Sequence, residues 1–238
     1  MRLDEIVPWG RTLNEYRAMF ALSEQDLAGA LLGCGDGPAS ANAELTRQGG
    51  RMISIDPLYQ FTPEQIRARI DATAATVLAQ TEQGREHYCW DTIPDSAALG
   101  RLRLGAMALF LDDYPAGQAA GRYRVAALPD LPFRENAFDL ALCSHLLFLY
   151  SELLSFATHL AAVRAMLRVA PEARIFPLLD LSNQRSPHLA PLCATLDAEG
   201  YQVEIVPVEY EFQRGANQML RLSRPPAPII NGSVPAKP

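Results

Sequence analysis

Short apolar runs that alternate with amphipathic, helix-length segments limit this chain to few folds. The runs are Ala28 to Leu32, Met52 to Ile55, Tyr123 to Ala126, Phe138 to Cys143 and Arg174 to Leu179, each closed by turn residues. Runs this short suit strands buried on both faces, and their alternation with helices predicts a parallel α/β sheet with right-handed crossovers. Val203 to Val208 and Gln218 to Leu222 are separated only by a loop and are expected to pair as an antiparallel edge. Three Ser/Thr-x-x-Glu/Gln/Asp boxes mark helix starts, because each can satisfy the free amides of a first turn. Thr12 with Glu15 opens a helix to about Leu22, with Leu13, Tyr16 and Phe20 on one face, and Ser23 with Asp26 begins a short turn. Thr62, Pro63 and Gln65 precede Ile66, Ile70, Ala74, Val77 and Leu78 at helical spacing. Asp95 is placed to cap a stripe of Leu99, Leu102, Ala106, Leu109 and Phe110, and a further amphipathic stretch runs from about Tyr150 to Val169.

The 238 residues are 49% hydrophobic and 20% charged, enough for one sizeable core. The reading is a single domain over 1–223, with an N-terminal helical segment (1–26), a helical insertion (60–122) and a Pro-rich tail (224–238). A net charge of −6 argues against a partner bound through phosphate neutralisation, so no nucleic acid is expected. No run approaches the roughly 18 apolar residues of a membrane span. Met1 to Glu5 is too acidic for a secretory signal, so a cytoplasmic location is expected and the Asn231-Gly232-Ser233 sequon is read as chance. Cys34, Cys89, Cys143 and Cys193 lack the spacing of a zinc site or a disulfide framework, and no metal is expected.

The most informative segment is Leu32-Gly33-Cys34-Gly35-Asp36-Gly37-Pro38, a strand entering a glycine turn and then a helix. Such a turn lets a ligand approach bare backbone, and Pro38 can begin the helix without losing a needed donor. Asp56 closes the next run, Met52 to Asp56, where a carboxylate can accept hydrogen bonds from ribose hydroxyls. The spacing Gly33-x-Gly35-x-Gly37 is not the Gly-x-Gly-x-x-Gly of dinucleotide folds. An adenosine ligand without pyrophosphate fits better.

The segments Leu32 to Gly37, Ile53 to Asp56 and Leu131 to Leu142 together resemble those of the class I S-adenosylmethionine-dependent methyltransferases. Ala161 to Arg168 is similar to the helix before that family's fifth strand, and the likeness spans about Leu27 to Leu222. The resemblance implies a Rossmann-like, doubly wound, mostly parallel sheet of seven strands in the order 3-2-1-4-5-7-6. The terminal strand would be antiparallel, with an extra helical cap between strands 2 and 3. It implies S-adenosyl-L-methionine as cofactor, with Gly33, Gly35 and Gly37 along the methionine portion, Asp56 on the ribose and Pro57-Leu58 beside the adenine. Cys34, Asp36, Leu128, Cys143 and Ser144 complete the implied cofactor contacts. The sequence departs from the family's pattern at Ala127, where an acidic residue often stands, with Asp130 nearby. It also has Ala170-Pro171-Glu172-Ala173 in place of Pro-Gly-Gly.

The implied activity is methyl transfer to a small-molecule or protein acceptor. His145, in the loop after Phe138 to Cys143, is the candidate general base, although a histidine beside Leu146 to Leu149 can equally be a hydrogen-bonded core residue. Ser144 lacks the Gly-x-Ser-x-Gly turn of a hydrolase nucleophile. Tyr59 reads as core or ligand-stacking, Asp112-Asp113 as a solvated helix end, and Glu209 to Asn217 as a contact to the acceptor or, preferred, only a turn between the last strands. Two other classes stay open: a non-catalytic binder of the same cofactor, and, disfavoured by the glycine spacing, a dinucleotide-dependent oxidoreductase.

Overall fold

The structure, a computed structural model, describes residues 6–225. The opening residues Met1 to Glu5, the sequon and the tail from Pro226 onward lie outside the described residues. Seven strands form one sheet: β1 (Ala30–Cys34), β2 (Arg51–Ile55), β3 (Tyr123–Arg124), β4 (Leu140–Ser144), β5 (Glu172–Phe176), β6 (Gln202–Pro207) and β7 (Gln218–Ser223). Their order is β3-β2-β1-β4-β5-β7-β6, as expected. β1 pairs in parallel with β2 and β4, while β7 runs antiparallel between β5 and β6. The two last strands therefore pair as the sequence predicts, but only β6 is an edge.

The strands alternate their side chains between two cores, as strand geometry requires. Leu32, Cys34, Ala141, Cys143, Ala173 and Ile175 face α6 (Phe156–Val169) and α7 (Leu189–Ala198). Leu31, Leu140, Leu142 and Phe176 face α1 (Leu13–Phe20), α2 (Glu24–Ala28) and α3 (Ala41–Arg47). Both faces are covered, which explains why the strands read as continuous apolar runs.

All three capping boxes form. Thr12, Ser23 and Thr62 each accept from the third helical amide, while Glu15, Asp26 and Gln65 reach back to the cap amide. Asp95 caps α5 (Ser96–Ala119) through the Ala98 amide. α4 (Pro63–Gln83) and α5 are the helical insertion between β2 and β3, closed around a buried cluster that includes Tyr59, Phe110, Tyr114 and Tyr123. Two expectations need correction. α5 does not stop at Asp112-Asp113 but continues through Pro115, and Asp113 is ion-paired with Arg122 at 2.7 Å and accepts from the Tyr123 hydroxyl at 2.8 Å. The predicted helix from Tyr150 begins only at Phe156, after a separate short turn at Phe148–Tyr150, because Ser155 caps it by accepting from the Thr158 amide. No helix among the described residues is long and apolar enough to cross a membrane.

Candidate active site

In an open sheet the crevice for a ligand lies beyond the carboxyl ends of the strands, where crossovers leave a central strand in opposite directions. Here that strand is β1, flanked by β2 and β4. A cavity of about 320 Å³ opens there, at the small end of ligand-site volumes, which run from roughly 300 Å³ upward. Gly35, Asp36, Gly37, Asp56, Pro57, Leu58, Ser144 and His145 are on its wall. Gly33, Cys34, Cys143 and Leu128 are not on the wall; the first three lie within β1 and β4.

The glycine turn is held by side chains from below. Gly35 and Gly37 adopt φ of +68° and +52°, the left-handed region that glycine enters without strain. Gly33 has a different reason to be glycine: a Cβ there would collide with the Asp36 carboxylate, which folds back over the strand. Asp36 accepts from the Tyr16 hydroxyl at 2.7 Å and the Ser54 hydroxyl at 2.6 Å. Burial raises its pKa to about 7, with the neighbouring Asp56 adding to the rise against the two hydrogen bonds.

Asp56 ends β2 and bridges the two turns. Its Oδ2 accepts the Gly37 amide at 2.9 Å and its Oδ1 accepts the Leu58 amide at 2.7 Å. Each carboxylate oxygen retains a second lone pair. Burial raises its pKa and the two amide bonds oppose that rise. A Cβ on Gly37 would meet nothing nearer than Asp56 Oδ2 at 3.9 Å, so space is open beside the carboxylate. Tyr59 is a core residue that supports the turn: its hydroxyl donates to the Gly37 carbonyl at 2.8 Å, and its ring stacks on Phe110. Asp130 is exposed and off the cavity wall.

His145 follows β4 in the left-handed region, with φ of +51°, an uncommon state for a side chain of its size. Its amide donates to the Phe176 carbonyl at 2.7 Å and its ring lies edge-on to Phe176. Nδ1 lies 2.9 Å from Ser144 Oγ. Burial, reinforced by the charges of Arg11 and Arg103, lowers its pKa well below the ordinary histidine value, so the ring is neutral at physiological pH. In the tautomer that donates from Nδ1 to Ser144, Nε2 is a free acceptor.

Sequence reasoning expected a helical cap but did not identify Trp9, Arg11, Tyr88 or Arg103 as parts of a roof. Three distant segments supply it: the stretch before α1 (Trp9, Arg11), the insertion (Tyr88, Arg103) and the β6–β7 loop (Tyr210, Phe212). The stretch Glu209 to Asn217, read as a turn, thus also lines the cavity. The loop is tied to the insertion by main-chain bonds, Cys89 to the Phe212 carbonyl at 2.7 Å and Arg214 to the His87 carbonyl at 2.8 Å. The Tyr88 and Phe212 rings stack at 5.0 Å. One signal for the roof was present in the sequence: Arg103 stands on the apolar stripe of its helix, four residues after Leu99, where a charge requires a partner. It is fully buried and paired with Glu15 at 2.6 Å.

No protein-family model matches the chain. An uncharacterised protein of Methanocaldococcus jannaschii is 27% identical over 226 residues, covering 94% of this chain and 99% of that protein. Among solved structures, magnesium protoporphyrin IX methyltransferase from Synechocystis PCC 6803 with bound SAM is similar at 12% identity and a TM-score of 0.47. That match covers 90% of this chain and 78% of the other. The N-methyltransferase NodS from Bradyrhizobium japonicum WM9 is similar at 16% identity and a TM-score of 0.43, covering 90% and 97%.

Proposed function

We propose that this chain is an S-adenosyl-L-methionine-dependent methyltransferase acting on a small-molecule acceptor. The observation that carries the reading is Asp56 at the end of β2, joined to the Gly37 amide and facing open space beside the glycine turn. Its spare lone pairs suit two adjacent ribose hydroxyls, and the turn offers no pyrophosphate cradle of dinucleotide spacing. Gly35 and Gly37 present bare backbone to the methionine side, and Pro57 and Leu58 border the adenine. When bound, S-adenosyl-L-methionine supplies a methyl group on a sulfonium sulfur, already activated for displacement.

The protein's part is then alignment and exclusion of water. The roof covers the acceptor, and its three segments leave a roofed chamber suited to a small molecule rather than an open groove for a protein chain. His145, neutral and oriented by Ser144, takes the acceptor's proton at Nε2 where the acceptor must lose one. Calorimetric titration with S-adenosylhomocysteine and with a nicotinamide dinucleotide tests the reading. Binding of the first alone supports it, and binding of the second alone removes it. The lack of an acid at Ala127 favours one second reading, a binder without transfer. Radiolabelled methyl transfer across a panel of small acceptors separates the two.

A further inference from the structure

The roof contains a buried cation with no ion-pair partner among the described residues. Arg11, about nine-tenths buried on the cavity wall, donates from Nη1 to the Trp9 carbonyl at 2.8 Å. Its Nε is buried without a hydrogen-bond partner, and no carboxylate lies within ion-pair distance among the described residues. The nearest candidate, Glu15, is already committed: it closes the Thr12 capping box, pairs with Arg103 and accepts from the Tyr210 hydroxyl at 3.1 Å. Among the described residues two roof guanidinium groups thus share one carboxylate, which is bonded to Arg103 and acts on Arg11 only through space. The Arg11 charge is costly to hold in a protein interior unless something binds it.

The place of that charge in the cavity decides what it meets. Its field is felt at His145, Tyr88, Tyr150 and Tyr210, which belong to the segment after β4, the insertion and the β6–β7 loop, and also at Glu15 and at Tyr16, whose hydroxyl is bonded to Asp36. The shifts at Asp36 and Asp56, which mark the ribose end, come from burial and hydrogen bonds, with Asp56 also acting on Asp36. The wall that the guanidinium shares carries apolar and aromatic side chains, among them Trp9, Leu99, Phe176 and Phe212. We infer that the acceptor is a small acid, an apolar or aromatic body whose carboxylate or phosphate group is held by Arg11 on the His145 side of the cavity. This rests on the methyltransferase reading for the word acceptor, while the anion site itself rests on the roof alone. A guanidinium presents planar paired donors that match either anion.

The test uses benzoate, phenyl phosphate and the neutral benzamide, titrated calorimetrically into the protein with and without saturating S-adenosylhomocysteine. The wild type should bind one of the anions at least about tenfold more tightly than benzamide. Arg11→Gln should abolish that preference and leave S-adenosylhomocysteine affinity within about twofold, while Arg11→Lys should keep part of the preference. Equal binding of anions and amide by the wild type, or no binding of either anion, overturns the proposal without any variant. A preference that survives Arg11→Gln also overturns it. So does an Arg11→Gln that loses S-adenosylhomocysteine affinity by about tenfold, which would mean that Arg11 grips the cofactor's own carboxylate. Should the wild type ignore S-adenosylhomocysteine, the methyltransferase reading falls, and the anion preference of the protein alone is judged separately.

Discussion

Replacing Asp36 by asparagine should stabilise the protein above neutral pH and do little in acid. The carboxyl is buried against Tyr16 and Ser54, and its pKa stands at about 7 against an ordinary 3.8. Between those values the folded protein holds a proton that the unfolded chain has lost, so stability falls as pH rises from about 4 to about 7 and then levels. At 1.36 kcal/mol per pKa unit the full loss is about 4 kcal/mol, of which about 3 kcal/mol develops between pH 5 and pH 8. The substituted side chain would be neutral throughout, with its oxygen accepting from Tyr16 and its amide donating to Ser54 Oγ. Urea unfolding of both proteins, followed by circular dichroism between pH 5 and pH 8, reads the difference directly. The variant should gain about 3 kcal/mol relative to the wild type across that range. A difference that stays flat with pH would mean that Asp36 is ionised in the folded protein at ordinary pKa and that the turn above it is wetter than its burial implies.

The other expectations concern the site and the roof. Asp56→Ala should weaken S-adenosylhomocysteine binding by about 1–3 kcal/mol in calorimetry, the range for lost hydrogen bonds to a charged group, and unchanged affinity in a folded variant would refute the ribose assignment. Gly37→Ala has room for its methyl group but strains the left-handed backbone, so it should cost about 1 kcal/mol of stability in urea unfolding and lower cofactor affinity as well. His145→Ala should reduce turnover much more than S-adenosylhomocysteine affinity, and equal activity would leave the ring a packing residue on Phe176. Glu15→Gln breaks the pair with Arg103 and strands a buried guanidinium, a loss of about 3–5 kcal/mol in urea unfolding. Burial alone would raise the Glu15 pKa, but Arg103 and Arg11 outweigh it and hold the value below normal. The contribution of Glu15 is therefore present above the ordinary carboxylate pKa and disappears as pH falls through the depressed one.

The middle of the sheet was legible in the sequence because β1, β4 and β5 are buried on both sides and carry little polar alternation, whereas the edge strand β6 is largely exposed. Helix starts were equally plain, since a capping box is a local device: Thr12 with Glu15, Ser23 with Asp26 and Thr62 with Gln65 all close within four residues. Asp36 was legible as a member of the glycine turn, but its grip on Tyr16 and Ser54 was not, because those partners arrive from a helix and a strand brought together by folding. Leu128 and Cys143, named through the family resemblance, are not on the cavity wall. The roof was least legible. Arg11, Tyr88 and Phe212 carry no shared motif and meet only through contacts between residues far apart in the chain.

The seam joining residues 85–90 to 211–215 has a main-chain framework, Cys89 to Phe212 and Arg214 to His87, to which the Arg214 guanidinium adds bonds to the carbonyls of Glu86 and Tyr88, both at 3.1 Å. Main-chain ties are indifferent to the side chains beside them. The substituents that project into the chamber from this seam can therefore be exchanged over generations while its ceiling stays at the same height above His145. Architecture and the chemistry presented to the chamber are carried by different atoms of the same short stretch, so its side chains can change without redrawing the vault.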